Sequence, residues 1–473
     1  MIREKAQPIT LTLEDRSIKR VFALSFLIGF IFWFLAAFRH FLLQSNAFDL
    51  GLFDQWVWLQ SVGEPPYSSM TGLHLMADHG AWLLYIPAFL YKIQPSIHWL
   101  LATQSFSLSF TSLPLWMLCK QKGLNNRKSW LICCLWWLQP VVFNVNIFDF
   151  HPEVWAMPLL AFSYLSIRAN KNFLWIFLIF IILGTRDGLV LLTLGLGFEQ
   201  ILRRNFTRGI SVILLSSSWL LFLNNILYPL LNQGKGSIMA VSRYSYLGNS
   251  LEEILFKIIT NPIIIFQSID WSGSIFYLII LFLPFIFFLR SSSLIVLSAS
   301  IPLLLTNILS DSFSQRTLIH HYSLPIIMIL VVASIDGMAQ SNIKSEISIR
   351  NRYLWILLTW SLLAKPLFFI GPYLSRISLI QSAHEAFSLI KSDSSILTTS
   401  YLAPHLTQRS QITFPRDTKD INSIDIYDVI LLNPLDPGWQ SDRKIQEEYL
   451  SKARLEGWDC KEWSNGQELC ISD

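Results

Sequence analysis

Several short stretches place carboxylates, imidazoles and guanidinium groups where acid–base or metal chemistry could be done. In Asp149-Phe150-His151-Pro152-Glu153 three polar side chains alternate with Phe and Pro. In an extended turn, residues two apart point the same way, so both carboxylates and the imidazole are expected to converge on one ion or one substrate. A ligand set rich in oxygen with one histidine suits magnesium or manganese better than zinc. Asp49 and Asp54 lie in the stretch 46–55, wrapped in Phe and Leu, a poor place for charge without a partner or a task. Asp78 and His79 follow, Arg186 and Asp187 interrupt an apolar run, and Asp311, Arg316, His320, His321 and Tyr322 form a later polar group. Such residues can supply a general base and a cationic grip on phosphate. Plainer readings stay open: solvated acids at 149 and 153, Asp54 on an amphipathic surface helix, Arg186 paired only with Asp187, and His79 and His151 as hydrogen-bonded helix ends.

The elements that must position these residues are membrane helices. The 473 residues are 52% hydrophobic and 14% charged, with 18 Trp and 34 Phe, the composition of a polytopic membrane protein. Apolar runs from 21–43 through 353–373 predict about eleven transmembrane helices, two of them short and broken around Arg186. Basic residues recur in alternate loops: Lys19 and Arg20, Lys120 to Lys128, Arg168 and Lys171, Arg203 to Arg208, and Lys344 to Arg352. That alternation predicts a cytoplasmic N-terminus and puts every acid and imidazole named above on the outer side. The membrane domain is expected over 1–374, with interfacial helices in the outer loops 44–97 and 232–272, near 81–91 and 251–266.

Residues 375–473 read as a small extracytoplasmic α/β domain. Helices are expected near 382–391 and 442–455, buried strands at 395–399 and 428–433, and a closing hairpin of 458–463 with 467–471. A loop of Ser464, Asn465 and Gly466 would set Cys460 opposite Cys470, as a disulfide or as two free thiols. This region carries 15 acidic and 10 basic residues. No basic patch interleaved with aromatics suggests nucleic acid.

Phe48-Asp49-Leu50-Gly51-Leu52-Phe53-Asp54-Gln55 with Trp58, then Asp78-His79, then Phe148 to Glu153, resembles a prokaryotic membrane family called domain of unknown function 2079. Arg186-Asp187-Gly188, His321-Tyr322 and the tail residues Ser400, Pro404, His405, Leu406 and Arg409 suit it too, so the resemblance covers nearly the whole chain. That family is similar to the C-fold (GT-C) glycosyltransferases, which take a sugar from a polyprenyl-phosphate donor on the outer face of the membrane. The resemblance implies a plasma-membrane enzyme whose partners are membrane lipid, a polyprenyl-phosphate-linked sugar and an acceptor. Asp49 matches the essential acid of the first outer loop, as general base. Asp149 and Glu153 are the nearest match to an acidic pair that helps bind metal in some branches, so the resemblance implies Asp49, Asp149 and Glu153 as the metal set. Asp54, Asp78, His79, His151, Arg186, Arg316, His321 and Tyr322 would then line the substrate. Two other classes compete: a transporter or flippase for a lipid-linked substrate, which a broken helix suits but no internal repeat supports, and a non-catalytic assembly or sensing protein.

Overall fold

The first helix, Arg16–Phe41, has no acid in its first turn and shows lipid-facing bulk on one side, with Phe22, Phe26, Leu27 and Phe34 all about half exposed. Its other face packs on the helices His98–Phe110 and Ser112–Gln121, where Ser25 and Ser112 share a hydrogen bond of 2.7 Å. Small hydroxyls of this kind let apolar helices approach closely where lipid offers no competing donor. The computed structural model describes residues 16–232, 239–340, 347–417 and 421–472.

Among those residues five helices are long and apolar enough to cross a membrane: Arg16–Phe41, Asn126–Ile147, Phe206–Leu231, Ser291–Leu309 and His321–Ala339. Other expected crossings are assembled from shorter pieces. The run expected at 353–373 breaks, because Lys365 precedes Pro366 and is pushed out of the helical region. The helix Ile349–Leu363 ends there, and the freed Lys365 N–H donates to Asn144 Oδ1 at 2.9 Å. The helices Asn172–Leu183 and Leu189–Leu202 flank the Arg186 junction as expected. At the centre, every residue from Leu324 to Met338 is buried, so the last long span is a core strut with no face to lipid. The helices Leu251–Thr260 and Pro262–Ser268 expose Leu255, Phe256, Ile259, Ile263 and Phe266, as an interfacial pair would.

The C-terminal unit is a five-stranded sheet in the order β2-β1-β3-β5-β4, with β1 Ile396–Thr398, β2 Ile412–Thr413, β3 Val429–Leu432, β4 Asp459–Glu462 and β5 Glu468–Ile471. β1 is parallel to both β2 and β3; β5 runs antiparallel to β3 and β4. Asp442 caps the helix Arg443–Leu455, accepting from the Ile445 N–H at 2.9 Å. In the hairpin, Gly466 takes φ +82° to close the turn, and Cys460 stands opposite Cys470 in a disulfide. One face of this sheet shares a hydrophobic core with the segment that follows the first helix: Ala47, Leu50 and Trp56 pack with Leu379, Ala383, Ile396 and Tyr401.

Candidate active site

The site begins at the end of the first helix. Arg39 sits in its last turn, nearly buried, and its Nη1 is paired with Asp149 Oδ1. Asp149 is held at φ +61°, a conformation that aspartate tolerates better than most residues. That left-handed turn swings its carboxylate back toward Arg39, and its other oxygen accepts the Asn46 N–H at 2.9 Å. Gln104 braces the same turn, donating to the Asp149 carbonyl at 2.6 Å and accepting from the His151 N–H at 2.8 Å.

Asn46 caps a single turn of π-helix, Ala47–Gly51, its side chain accepting from the Phe48 N–H. This wide turn presents Asp49 toward His151, 3.6 Å from Nε2, with 31% of the Asp49 side chain exposed. Local π-turns recur at functional sites, where they re-aim one residue. Burial opposes the charge on Asp49, but contact with His151 and the nearby Arg39 outweigh it and hold the carboxyl below its ordinary range. Asp149 moves the opposite way: burial raises it, Arg39 opposes, and the Asp49 charge adds to the rise. Two neighbouring carboxylates are thus driven apart in acidity.

Beyond His151 the network continues to a second acid. The His151 and His321 rings lie 4.1 Å apart. His321 Nε2 is 3.3 Å from Glu153 Oε1, which accepts from Arg186 at 2.8 Å, and Arg186 lies 2.9 Å from His321. Glu153 Oε2 is buried without a hydrogen-bond partner. Tyr322 packs against His321 at 4.0 Å, and Arg243 covers the Tyr322 ring at 4.9 Å. Asp187 accepts from Tyr228 at 3.0 Å, and its N–H donates to the His79 carbonyl at 2.8 Å. Burial and the Asp187 charge, partly offset by Arg186, raise Asp78 to about 6. His79 is kept well below its ordinary range by burial and by Arg186.

The expected convergence of Asp149, His151 and Glu153 on one ion is corrected by this geometry. Because Asp149 is left-handed where an extended turn was expected, it turns away to Arg39, while His151 and Glu153 both reach His321. Asp49, Asp149 and Glu153 do not form a three-ligand set. Among the described residues the one such grouping is Cys460, Glu468 and Cys470, whose thiols are already bonded together. A guanidinium on Asp149 and another on Glu153 occupy oxygens a cation would need. Asp54, expected at the substrate, is instead 1% exposed and hydrogen-bonded to Tyr91 and to Thr407 of the C-terminal unit. Arg316 is likewise engaged elsewhere, with the Ser310 carbonyl and with Asp270 at 3.5 Å. Sequence reasoning missed Arg39, Gln104, Tyr228 and Arg243. Arg39 alone carried a signal, as a charge at the end of an apolar run that calls for a buried partner.

At the other end of the helices a separate ionic cluster gathers on Asp336, with Arg168 at 3.0 Å and Lys122 at 3.6 Å. The fold is that of a polytopic α-helical membrane protein with a GT-C-like architecture. The structure resembles that of ArnT from Cupriavidus metallidurans, crystallised with undecaprenyl phosphate; the TM-score is 0.55 at 9% identity, covering 95% of this chain and 97% of that one. No curated protein matches the sequence. The chain belongs to the family of predicted membrane proteins called DUF2079, whose model matches residues 39–469.

Proposed function

We propose that the protein is a membrane glycosyltransferase that moves a sugar from a polyprenyl-phosphate donor to an acceptor hydroxyl at the extracytoplasmic face. The observation that carries this reading is the exposed edge of Asp49 on an otherwise buried acidic network. An ionised carboxylate there can take the acceptor's proton as the acceptor oxygen attacks the anomeric carbon. The bond from that carbon to the phosphate oxygen breaks, and its electrons leave with the polyprenyl phosphate. Arg186, with Arg243 beside Tyr322, supplies the positive charge that the departing phosphate needs. Glu153 Oε2, buried and unpartnered, is suited to accept from a sugar hydroxyl. The fold shared with ArnT, whose crystal structure holds undecaprenyl phosphate, supports a polyprenyl carrier.

The test is transfer of a radiolabelled sugar from polyprenyl phosphate by the full chain in lipid vesicles. Asp49→Asn lowers turnover about a hundred- to ten-thousandfold with donor retention unchanged. Arg186→Gln weakens donor binding as well. Equal turnover in wild type and Asp49→Asn would remove Asp49 from the chemistry.

A further inference from the structure

β1 is the centre of the parallel part of the C-terminal sheet, and the next two strands add on opposite sides of it. The loops leaving the three strands therefore diverge, and a crevice opens outside their carboxyl ends, where α/β sheets bind ligands. Here that crevice is closed by the turn carrying Asp49. Ser400, just after β1, fixes both sides: its carbonyl accepts the Ala47 N–H at 2.9 Å, and its Oγ accepts the Trp439 N–H at 2.9 Å. Gly438 makes the second contact possible, with φ +78°, and a Cβ there would fall 2.8 Å from Ser400 Oγ.

Three rings meet on this frame. Phe48, next to Asp49 in the chain, lies edge-on to Phe414 after β2 at 5.2 Å and to Trp439 after β3 at 5.1 Å. Arg416 spans two of them, 4.5 Å from the Phe48 ring and 4.6 Å from Phe414, and donates one N–H to the Met70 carbonyl at 2.8 Å. Phe414 is buried, whereas Trp439 is 47% exposed and Arg416 is exposed. A half-exposed indole and an exposed guanidinium that share the Phe48 ring, itself next to Asp49 in the chain, have the makings of a saccharide platform. The electron-rich ring face meets the weakly positive C–H groups of a pyranose, and the guanidinium grips an anionic substituent.

We propose that Phe48, Trp439 and Arg416 form the acceptor subsite, and that the acceptor is a glycan bearing an acidic group, a carboxylate or a phosphate. This rests on the transfer reading for its role, though not for the binding itself. A glycan seated on Trp439 would bring a hydroxyl toward Asp49, while the donor's phosphate sits at Arg186, on the other side of His151 and His321.

The experiment is equilibrium binding of short oligosaccharides to the full chain in nanodiscs, comparing neutral, uronic-acid and phosphorylated forms of one backbone. Wild type is expected to prefer both acidic forms about tenfold over the neutral one. Arg416→Gln erases that preference and leaves neutral binding. Trp439→Ala weakens all forms about tenfold, while Trp439→Phe, which keeps a ring, retains most of the affinity. A preference for only one acidic form identifies the group. The proposal is overturned if affinities are the same in Arg416→Gln and Trp439→Ala as in wild type, or if these variants change only adhesion to bare lipid, as an interfacial anchor would. Asp49→Asn is expected to retain glycan binding and lose turnover; glycan binding by a wild-type chain that transfers no sugar removes the transfer reading and leaves the subsite standing.

Discussion

The pair Arg39–Asp149 offers the sharpest test of how the site is built. Both groups are nearly buried, at 7% and 2% exposure, so removing one strands an uncompensated charge in a place water does not reach. The expected cost of Arg39→Met is about 3–5 kcal/mol, a large fraction of the stability of an ordinary domain. In that variant Asp149 keeps only the Asn46 N–H as partner for its carboxylate. Asp149→Asn costs less, about 1–3 kcal/mol, because asparagine also tolerates the left-handed conformation and can still accept from Asn46. The double variant carries no stranded charge and recovers most of the loss. A double-mutant cycle on thermal unfolding in detergent should therefore show a coupling of at least about 1.5 kcal/mol, the singles together exceeding the double. Because Asn46 leads directly into the turn bearing Asp49, both singles should also lose turnover. Single effects that add to within about 0.5 kcal/mol would show that the pair contributes nothing jointly, and would refute the claim that it anchors the Asp49 turn.

Other perturbations follow from the same contacts. Burial raises Asp54 to about 6, with Thr407 and Tyr91 only partly offsetting it, so its ionised form opposes folding. Its contribution is full below pH 3.8 and is lost as pH rises through about 6, amounting to about 3 kcal/mol by neutral pH. Asp54→Asn should flatten that slope in a melting-temperature series from pH 5 to 8; an unchanged slope would place the effect elsewhere. Asp336→Asn removes the charge that Arg168 and Lys122 share and should destabilise the chain by about 3 kcal/mol with donor KM unchanged, since that cluster lies away from Asp49. Glu153→Gln keeps the volume but releases Arg186 from its buried partner, so the melting temperature should fall and donor KM rise several-fold; a wild-type KM would exclude Arg186 from phosphate binding.

Most of the helices and four of the five strands could be read from the chain because they are local: apolar runs interrupted by basic loops, and a glycine in the final hairpin turn. The acid-rich stretches could be read as unusual for the same reason. Their partners could not. Asp149 and His151 stand two apart, and only the left-handed backbone at Asp149 decides that they face different groups. Gln104 braces that turn from within an ordinary apolar helix, where nothing in its surroundings distinguishes it from any buried amide. Asp54 has the flanking residues of a catalytic acid, and what makes it structural is a threonine 353 residues away. Composition separates the last hundred residues from the rest of the chain and gives no hint that Leu50 and Trp56 complete their core.

That shared core has a consequence for biogenesis. The segment carrying Asp49 is made early in synthesis, yet Ser400 and Thr407, which hold it, are made only after all the long apolar helices of the described residues. Until then Leu50, Trp56 and their neighbours lack the surface they pack against. A nascent or prematurely terminated chain therefore displays an unfinished apolar surface, open to chaperones and proteases, and cannot hold the Asp49 turn in place before its own translation is complete.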